Sequence, residues 1–243
     1  MKTYFFEKTG STNDELKKII EDGNAINGDA CVALSQDGGR GRLGRSFFSP
    51  EGGIYASVYV EPDIPPERMP VVSAIAAVQV CRALERHGIT VGIKWINDII
   101  LNGKKLGGIL CEGIVDKEYH IKGVVIGVGL NCFPEGTIFP SELSDIAVGI
   151  PMSEEKRQEL REILVEELRA IGNGTAPDWY LYYRDHSVVL NRRIKVIPSG
   201  GESYFATVRD IEVSGTLTVE TESGEYITLG SGEISIRPES GTF

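Results

Sequence analysis

The 243-residue chain is poor in the residues that build metal centres and disulfide frameworks. It has three histidines and four cysteines, and none of the cysteines forms a C-x-x-C pair. The cysteines are Cys31, Cys81, Cys111 and Cys132, and the histidines are His87, His120 and His186. Isolated cysteines inside apolar strand or helix patterns are typical of reduced core residues. We therefore expect neither a disulfide scaffold nor a metal site built from protein ligands.

The chain also lacks an excess of positive charge and any long apolar run. Its formal net charge is -10 and its pI is about 4.9, so the extended basic face of a general nucleic-acid or anionic-membrane binder is not expected. Near the N-terminus only Tyr4 to Phe6 form an apolar run, which is too short for a signal-peptide core. No stretch approaches membrane-spanning length. These absences predict a cytoplasmic protein with neither DNA nor membrane among its partners.

Apolar periodicity predicts three helices in the first three quarters of the chain. Thr12 and Glu15 fit a capping box that begins the first helix, and Gly23 ends it. The second helix, over about residues 66–87, is apolar on nearly all sides and hence buried. The third, SEEKRQELREILVEELRAIG, begins after Ser153. The expected strands of this part are ACVAL, IYASVYV, ITVGIKW, YHIKGVVIGVGLN and a hairpin.

The hairpin is the clearest local prediction. The pair Asn102–Gly103 supplies the two positive-φ positions of a type I′ turn, which pairs Leu101 with Lys104 and Ile100 with Lys105. Successive residues of a strand point to opposite faces, so the two lysines should face different sides of the sheet, and Lys105 should share its face with Gly107.

The sequence changes character after the aromatic segment WYLYYRDHS. Short strands with close turns follow, and they are RRIKVI, SYFATVRDI, GTLTVET, EYITL and EISIR. This is the pattern of a small all-β module. We expect an α+β domain in residues 1–187, with a mixed or antiparallel sheet and flanking helices, and a β-barrel of about five strands in residues 188–243.

The stretch SQDGGRGRLGRSFFSP, residues 35–50, places three arginines among four glycines. It fits G-x-G-x-x-G and nearly fits the P-loop pattern, but both motifs require a helix directly after the glycines. A strand-like run, IYASVYV, follows instead. Guanidinium groups that repel one another among flexible glycines indicate a loop that an anion orders.

Other polar stretches have an ordinary structural interpretation when each is taken alone. Ser11 to Asn13 fit a helix N-cap, Lys104 and Lys105 fit a solvated hairpin, and Asn131 fits the end of a strand.

Taken in order, these stretches resemble the biotin protein ligases over nearly the whole chain. The matching pieces are STN at 11–13, Q-x-x-GRGRLGR at 36–45, KW-x-ND at 94–98, KKLGGIL at 104–110, GVGLN at 127–131 and a C-terminal GEISIR. The combination of GRGR-x-GR with K-L-x-G-I-L is highly specific. Ile96 stands where the family usually has proline, and Phe47 stands where tryptophan is common.

The resemblance implies an enzyme that activates biotin with ATP as biotinyl-adenylate, releases pyrophosphate and transfers biotin to a lysine of a biotin carboxyl carrier protein. It implies a class II synthetase-like sheet of the biotin/lipoate ligase type, an SH3-like C-terminal barrel and a form without an N-terminal DNA-binding domain, and it is compatible with a homodimer. ATP, biotin and Mg²⁺ are the expected small molecules, with Mg²⁺ carried by the triphosphate rather than by a protein cage.

The resemblance also assigns residues. The expected catalytic residues are Lys105, Arg42 and Arg40. The expected biotin-binding residues are Ser11, Thr12, Asn13, Gln36, Gly39, Arg40, Gly41, Arg42, Lys105 and Gly108. The expected ATP-binding residues are Arg40, Arg42, Arg45, Phe47, Asn97, Asp98, Lys105 and Asn131. The cations would offset the repulsion of two anions about 4 Å apart, which is on the order of 4 kcal/mol at an effective dielectric near 20. Gly107 and Gly108 would let the strand backbone approach the ureido ring of biotin.

Three alternative functions are considered: a related ligase, a repressor and a non-catalytic binding protein. Lipoate or octanoyl ligases share the fold, but their R-R-x-S-G-G-G-type stretch is absent from this sequence. A biotin-responsive repressor would place a helix-turn-helix before the catalytic domain. The STN segment begins at residue 11, so we expect no such domain here. A non-catalytic biotin-binding protein would not need Lys105 beside the arginine loop.

Overall fold

The computed structural model describes residues 1–62, 71–118, 120–174, 178–199, 201–230 and 234–239. These ranges contain a seven-stranded sheet, a five-stranded sheet, a two-stranded sheet and four α-helices. The α+β class that the sequence predicts is therefore confirmed. Among the helices of these ranges, none is long and apolar enough to cross a membrane.

The seven-stranded sheet carries the larger core. Its strands are β1 (Thr3–Thr9), β2 (Ala30–Gln36), β3 (Ile54–Val60), β4 (Gly92–Lys94), β5 (Asp98–Leu101), β6 (Lys104–Val115) and β7 (Ile121–Leu130). They lie in the order β1-β2-β3-β7-β6-β5-β4, and the sheet is mixed because only β1 pairs with its neighbour in parallel. Every residue of β3 is buried, as its run of apolar residues predicts.

Four helices cover this sheet. They are α1 (Thr12–Glu21), α2 (Val71–Glu85), α3 (Glu154–Ile171) and α4 (Trp179–Asp185). Helix α1 packs on β2 and β3, and α2 packs against α3 and α4. Leu160, Leu164, Leu168 and Ile171 of α3 are buried, as the periodicity predicts. Helix α2 begins at Val71 in the described chain, and the predicted start at residue 66 lies outside the described residues.

One local expectation is wrong, and two elements of the structure are not predicted by the sequence. The capping box is wrong, because Ser11 is the N-cap and makes no side-chain cap hydrogen bond, while Thr12 is already helical. Strand β1 is not predicted by the sequence, since it is an edge strand whose three aromatic residues, Tyr4 to Phe6, are consecutive and show no alternation with polar residues. The segment WYLYYRDHS forms α4, in which Trp179 and Tyr183, four residues apart, are both buried.

The hairpin is confirmed in detail. Asn102 and Gly103 have φ values of 50° and 79°, and Leu101 pairs with Lys104 while Ile100 pairs with Lys105. One step further the register shifts, because Ile99 pairs with Gly107. Leu106 is therefore an extra residue on β6, and the strand bulges between Lys105 and Gly107.

Two small sheets complete the fold. Strands β8 (Cys132–Phe133) and β9 (Ile150–Pro151) pair in parallel beyond the end of β7. The C-terminal antiparallel sheet contains β10 (Arg193–Pro198), β11 (Tyr204–Ile211), β12 (Leu217–Thr221), β13 (Tyr226–Leu229) and β14 (Ile234–Pro238). Its order is β13-β12-β11-β10-β14.

Residues in and directly after β4 connect the seven-stranded sheet to the C-terminal sheet. Trp95, directly after β4, donates its Nε1–H to the Gly215 carbonyl at 2.9 Å, and this bond is buried. Ile93 exchanges backbone hydrogen bonds with the chain near Ser187, accepting from Val188 at 3.0 Å and donating to His186 at 2.7 Å. The C-terminal sheet is thus held beside the edge of the large sheet where the K-W-x-N-D residues lie.

Candidate active site

A cavity of about 490 Å³ opens between the large sheet, the arginine-rich segment and the end of β14. All of the residues to which the sequence assigns a ligand-binding or catalytic role line it, except Gly39 and Gly107. The further lining residues that matter below are Lys94, Ile236, Arg237 and Gly129. The motifs that are far apart in the sequence are therefore brought to one site.

The arginine loop, residues 39–47, is a short hairpin beside the cavity. Arg40 bridges to Ser46, the Gly41 N–H donates to the Arg45 carbonyl at 2.7 Å, and a 3₁₀ turn forms its tip. Leu43 and Gly44 at this tip have φ values of 57° and 69°. No helix follows the glycines before β3, which agrees with the rejection of both phosphate-loop motifs.

The three arginines of the loop have different surroundings. Arg40 makes a two-point ion pair with Asp14, in which its Nη1 lies 2.5 Å from Asp14 Oδ2 and its Nη2 contacts Oδ1. Arg42 points into the cavity, with its Nη1 3.4 Å from the amide oxygen of Asn97. Arg45 is exposed at the mouth. The repulsion that the sequence suggests is therefore smaller than expected, because Arg40 is neutralised within the chain.

Arg42 is a partly buried cation. Burial lowers the pKa of its guanidinium, the charge of Arg45 lowers it further, and Asp98 acts in the opposite direction. A group that has lost hydration and whose side chain has, among the described residues, only a long hydrogen bond to Asn97 is a favourable partner for an incoming anion.

Asp98 lies between two lysines. Its Oδ1 accepts a hydrogen bond from Lys105 Nζ at 2.5 Å, and its Oδ2 lies 3.6 Å from Lys94 Nζ. Burial favours the neutral acid, but Lys105 and then Lys94 hold the pKa of Asp98 below its ordinary value. The carboxylate is thus ionised, and it fixes two ammonium groups at one end of the cavity.

Lys94 is a cation to which the sequence motifs assign no role. It is 9% exposed, and burial lowers its pKa to about 8, helped by Arg237 and Lys105 and opposed by Asp98. The sequence signal that could have identified Lys94 is its position at the end of a short apolar strand, because an ammonium group buried there needs a charged or polar partner. Arg237, also unassigned, comes from β14 of the C-terminal sheet.

The bulge in β6 decides which glycine accompanies Lys105. Strict alternation would place Lys105 on the face of Gly107, but the extra residue Leu106 reverses that alternation. A Cβ on Gly108 would lie 3.1 Å from Lys105 Nζ, whereas one on Gly107 would meet Leu130 and the Gly129 carbonyl. The expectation for Gly107 is wrong: it packs against β7, and Gly108 lines the cavity.

The opposite end of the cavity is polar and uncharged. Gln36 Oε1 accepts hydrogen bonds from the Thr12 N–H at 2.9 Å and the Thr12 hydroxyl at 3.2 Å. Gln36 Nε2 donates to Ser49 Oγ at 3.2 Å. Helix α1 begins here, with Ser11 as its N-cap and with Thr12 bonded to Gln36, the last residue of β2. Gly39 belongs to this support, since a Cβ there would collide with Ser49.

Asn13 is held by protein groups at both ends of its amide. Its Nδ2 donates to Glu112 Oε2 at 2.6 Å, and its Oδ1 lies 2.6 Å from Ser57 Oγ. Gly127 of β7 leaves the space for this side chain, because a Cβ there would overlap Asn13 Oδ1. Asn13 thus borders the cavity with its polar atoms already used.

Asn131 and Phe47 border a third part of the cavity. Asn131 Nδ2 donates to the Val148 carbonyl at 3.2 Å, while its buried Oδ1 has no hydrogen-bond partner among the described residues. The Phe47 ring lies over Gly129, where a Cβ would come within 2.5 Å of it, and 6.0 Å from Lys105 Nζ. An unsatisfied buried acceptor and an aromatic face that line one cavity suit a planar ring that carries a donor.

One trio of metal-binding types occurs elsewhere in the described chain, at Asp116, Glu118 and His120. Asp116 Oδ1 accepts the backbone N–H groups of Glu118 at 2.8 Å and His120 at 2.9 Å. The trio is therefore explained by the turn that it forms between β6 and β7.

The fold and the cavity define a class of protein. A neutral polar pocket, a group of cations around one carboxylate, and a third part bordered by Phe47 and Asn131 form a site for joining two ligands, one of which is anionic. Enzymes that activate a carboxylic acid with a nucleotide need such a site.

Residues 5–131 match the biotin/lipoate A/B protein ligase family, and residues 189–237 match the biotin protein ligase C terminal domain. The chain belongs to this family and is a ligase of the biotin protein ligase type. The family and the enzyme class that the sequence indicates are thereby confirmed.

Individual relatives agree. The chain is 31% identical over 224 residues to the bifunctional ligase/repressor BirA of Bacillus subtilis, covering 88% of this chain and 68% of that protein. It is 30% identical over 236 residues to the biotin–[acetyl-CoA-carboxylase] ligase of Mycobacterium tuberculosis, covering 93% and 86%. The fold is similar to that of the Aquifex aeolicus biotin protein ligase in complex with biotin and ATP, with a TM-score of 0.78, 24% identity and coverage of 98% and 99%.

Proposed function

We propose that the protein joins biotin to ATP in this cavity and then transfers biotin to a lysine of a carrier protein. In the first step a biotin carboxylate oxygen attacks the α-phosphorus, the bond between the α-phosphorus and its bridging oxygen breaks, and pyrophosphate leaves. In the second step the carrier amine attacks the biotinyl carbonyl, loses a proton, and AMP leaves. The observation that carries the proposal is the group of Lys105, Lys94 and Arg42 around Asp98.

This cation group would offset the charge of the reactants. The carboxylate and the α-phosphate repel each other by on the order of 4 kcal/mol at about 4 Å and an effective dielectric near 20. Lys105, held by Asp98, would lie where the two anions meet, and Arg42 would donate to the phosphate from the loop. Groups that are already in place stabilise the concentrated charge of the transition state without reorganising.

The uncharged end of the cavity suits the ureido head of biotin. Ser11, Thr12 and Gln36 offer donors and acceptors beside the apolar residues of β6 and β7. Gly108 leaves room next to Lys105 for the ligand that extends between the two ends.

The nucleotide would occupy the remaining part. Asn131 Oδ1, buried and unpaired in the described structure, would accept the 6-amino group of adenine, and Phe47 would cover the ring. Mg²⁺ would arrive on the triphosphate, and the side-chain oxygens of Asp98 and Asn97, which line the cavity, would be the hard protein ligands available to hold it. Bound there, Mg²⁺ would neutralise part of the phosphate charge.

The C-terminal sheet is proposed to take part in nucleotide binding. Three residues of β14 line the cavity, namely Ile236, Arg237 and Pro238. The charge of Arg237 contributes to lowering the pKa of Lys94. We propose that residues 1–187 and 188–243 are two folding units, a division supported by the start of the second family match at residue 189. The biotin carrier of acetyl-CoA carboxylase is the proposed acceptor, by analogy with the name of the Mycobacterium tuberculosis relative.

Exchange of radiolabelled pyrophosphate into ATP tests the first step. The purified protein should catalyse exchange that depends on biotin and is not supported by lipoate. Exchange with lipoate in place of biotin would favour a lipoate ligase, and biotin binding without exchange would favour a non-catalytic binding protein. Biotinylation of a carrier domain, with its acceptor lysine replaced by arginine as the control, tests the second step.

A further inference from the structure

Asp14 and Arg40 connect two segments that both line the cavity. Asp14 lies in the first turn of α1, next to the polar pocket of Thr12, and Arg40 begins the arginine loop. Their two-point contact is the geometry in which an arginine and a carboxylate bind most strongly. The contact joins residues 26 positions apart in the sequence.

A second carboxylate and a lysine support this pair. Lys17 Nζ lies 3.2 Å from Asp14 Oδ1 and 2.9 Å from Glu112 Oε1, and Glu112 Oε1 lies 3.7 Å from Arg40 Nη2. The exposed fractions of the four side chains are 26–37%, so water screens them only partly. The hydrogen bonds from Arg40, the largest influence, lower the pKa of Asp14 to about 2.

The pair acts on the stem of the loop and not on its tip. Arg40 bridges to Ser46 across the hairpin, so anchoring Arg40 anchors both strands of the stem. Arg42 lies two residues further along and reaches Asn97 in the cavity. The position of the stem relative to α1 therefore helps to determine where the Arg42 guanidinium lies in the cavity.

We propose that Asp14 and Arg40 are positioning residues for the adenylation step, which hold the stem of the arginine loop against α1. This role rests on the proposed function, and it replaces direct contact between Arg40 and the reacting anions. Only the tip, with Arg42 and Arg45, is left to move onto the nucleotide. The biotin pocket at Thr12 and the phosphate-binding Arg42 are linked through one ion pair.

A positioning role affects binding more than chemistry. Without the pair, the loop samples other positions, and part of the binding energy of the ligands is used to order it. Lys105 and Arg42 are unchanged, so the chemical step in the assembled complex keeps its rate. Loss of a residue that touches the reacting anions would lower kcat instead.

The test uses Asp14→Asn and Arg40→Gln in the full chain, with Glu21→Gln, an exposed carboxylate on the same helix, as the control. Trypsin cleavage after Arg42 and Arg45, located by mass spectrometry in the ligand-free protein, should accelerate in both variants. The KM for biotin should rise about fivefold, the effect of losing one partly exposed ion pair, while kcat for adenylate formation should change less than about threefold. Glu21→Gln should change neither.

The exchange of charges, Asp14→Arg with Arg40→Asp, separates pairing from other effects. Protection from trypsin and the KM for biotin should return toward the wild-type values, and Arg40→Lys, which keeps the charge, should lie between wild type and Arg40→Gln. A fall in kcat with Arg40→Gln that the exchange does not restore would show that Arg40 contacts the reactants and would overturn the proposal. Unchanged cleavage in the single variants would overturn it as well. A wild-type protein without biotin-dependent exchange would refute the proposed function and leave the cleavage result standing.

Discussion

Lys105 Nζ lies 2.5 Å from Asp98 Oδ1, so a largely buried carboxylate holds the ammonium group in place. Asp98 begins β5, and Lys105 lies on β6 across the hairpin. Because the bulge at Leu106 turns Lys105 toward Gly108, this contact places the ammonium in the cavity. Lys104, its neighbour, donates instead to the Ser144 carbonyl at 2.8 Å on the exposed side.

Lys105→Ala should strongly reduce adenylate formation. The loss of one preorganised group that stabilises developing charge typically lowers the rate about 10²- to 10³-fold. Single-turnover formation of biotinyl-adenylate measures this step without carrier chemistry or product release. Lys104→Ala is the matched control, and it should change the rate by less than about threefold, because Lys104 does not line the cavity. Two nearly silent substitutions, or a larger effect at Lys104, would contradict the assignment of the junction lysine.

Lys94 should give ATP use a pH dependence. Burial lowers its pKa to about 8, so the free enzyme loses this cation as the pH rises through that value. The kcat/KM for ATP, which reports groups of the free enzyme, should therefore fall above about pH 8. Lys94→Arg, which stays charged, should remove the fall. An equal fall in the arginine variant would assign it to another group.

The lowered pKa of Lys94 also predicts how stability depends on pH. Here the free energy of unfolding should rise with pH, whereas the kcat/KM for ATP should fall. The pKa of Lys94 is lower in the folded than in the unfolded chain, so between about 8 and the ordinary lysine value the unfolded state binds more protons. The free energy of unfolding should rise with pH through this window. Lys94→Met should lose that rise, and Lys18→Met, at an exposed lysine of α1, should keep it. Urea unfolding at several pH values measures the free energy of unfolding of each variant. If this free energy depends on pH in the same way for wild type and Lys94→Met, the pKa of Lys94 is not lowered in the folded protein.

Asn131 should determine the choice of nucleotide. Its Oδ1 would accept from the 6-amino group of adenine, whereas inosine triphosphate would present an oxygen to an oxygen. Wild type should therefore prefer ATP over ITP, and Asn131→Ala should reduce that preference by about tenfold, the size of one buried hydrogen bond to an unsatisfied group. Biotin affinity, measured by calorimetry, should change little. A preference that survives the substitution would place adenine recognition elsewhere.

Local chemistry explains which parts of the fold the sequence predicts. The I′ turn at Asn102–Gly103 depends on two residues, and it is found with the expected pairs. Strand β1 escapes prediction because its exposed Phe5 and half-buried Tyr4 give no clear alternation until β2 provides a partner. The bulge at Leu106 also depends on β5, and it reverses the expected side of Gly107.

The candidate site also contains residues that the sequence predicts and contacts that it does not predict. Sequence motifs identify most of the side chains that line the cavity, since each motif carries polar or charged groups and most of the motifs place them beside glycines. They do not show that Asp14 neutralises Arg40, because this contact spans 26 residues and requires α1 to lie beside the loop. Arg237 enters from a separate sheet, so only the position of the C-terminal sheet beside the large sheet brings its charge near Lys94.

Gly108 gives the sharpest test of the geometry around Lys105. An alanine Cβ there would lie 3.1 Å from Lys105 Nζ and 3.2 Å from its Cε, closer than ordinary contacts, so the flexible end of the lysine must move away from Asp98. A shift on the order of 1 Å in a reacting geometry can lower a rate about 10²-fold. A Cβ on Gly113, on the same strand, would meet no neighbouring atom of the described residues within 4 Å, and Gly113→Ala is the matched control. Gly108→Ala should therefore reduce single-turnover adenylate formation at least about tenfold, while Gly113→Ala should leave it within about threefold. Both variants should keep the wild-type Tm within a few degrees, because neither position carries a positive φ. If Gly108→Ala forms adenylate as fast as Gly113→Ala, the Lys105 ammonium does not act over Gly108, and the junction of the two anions lies elsewhere in the cavity.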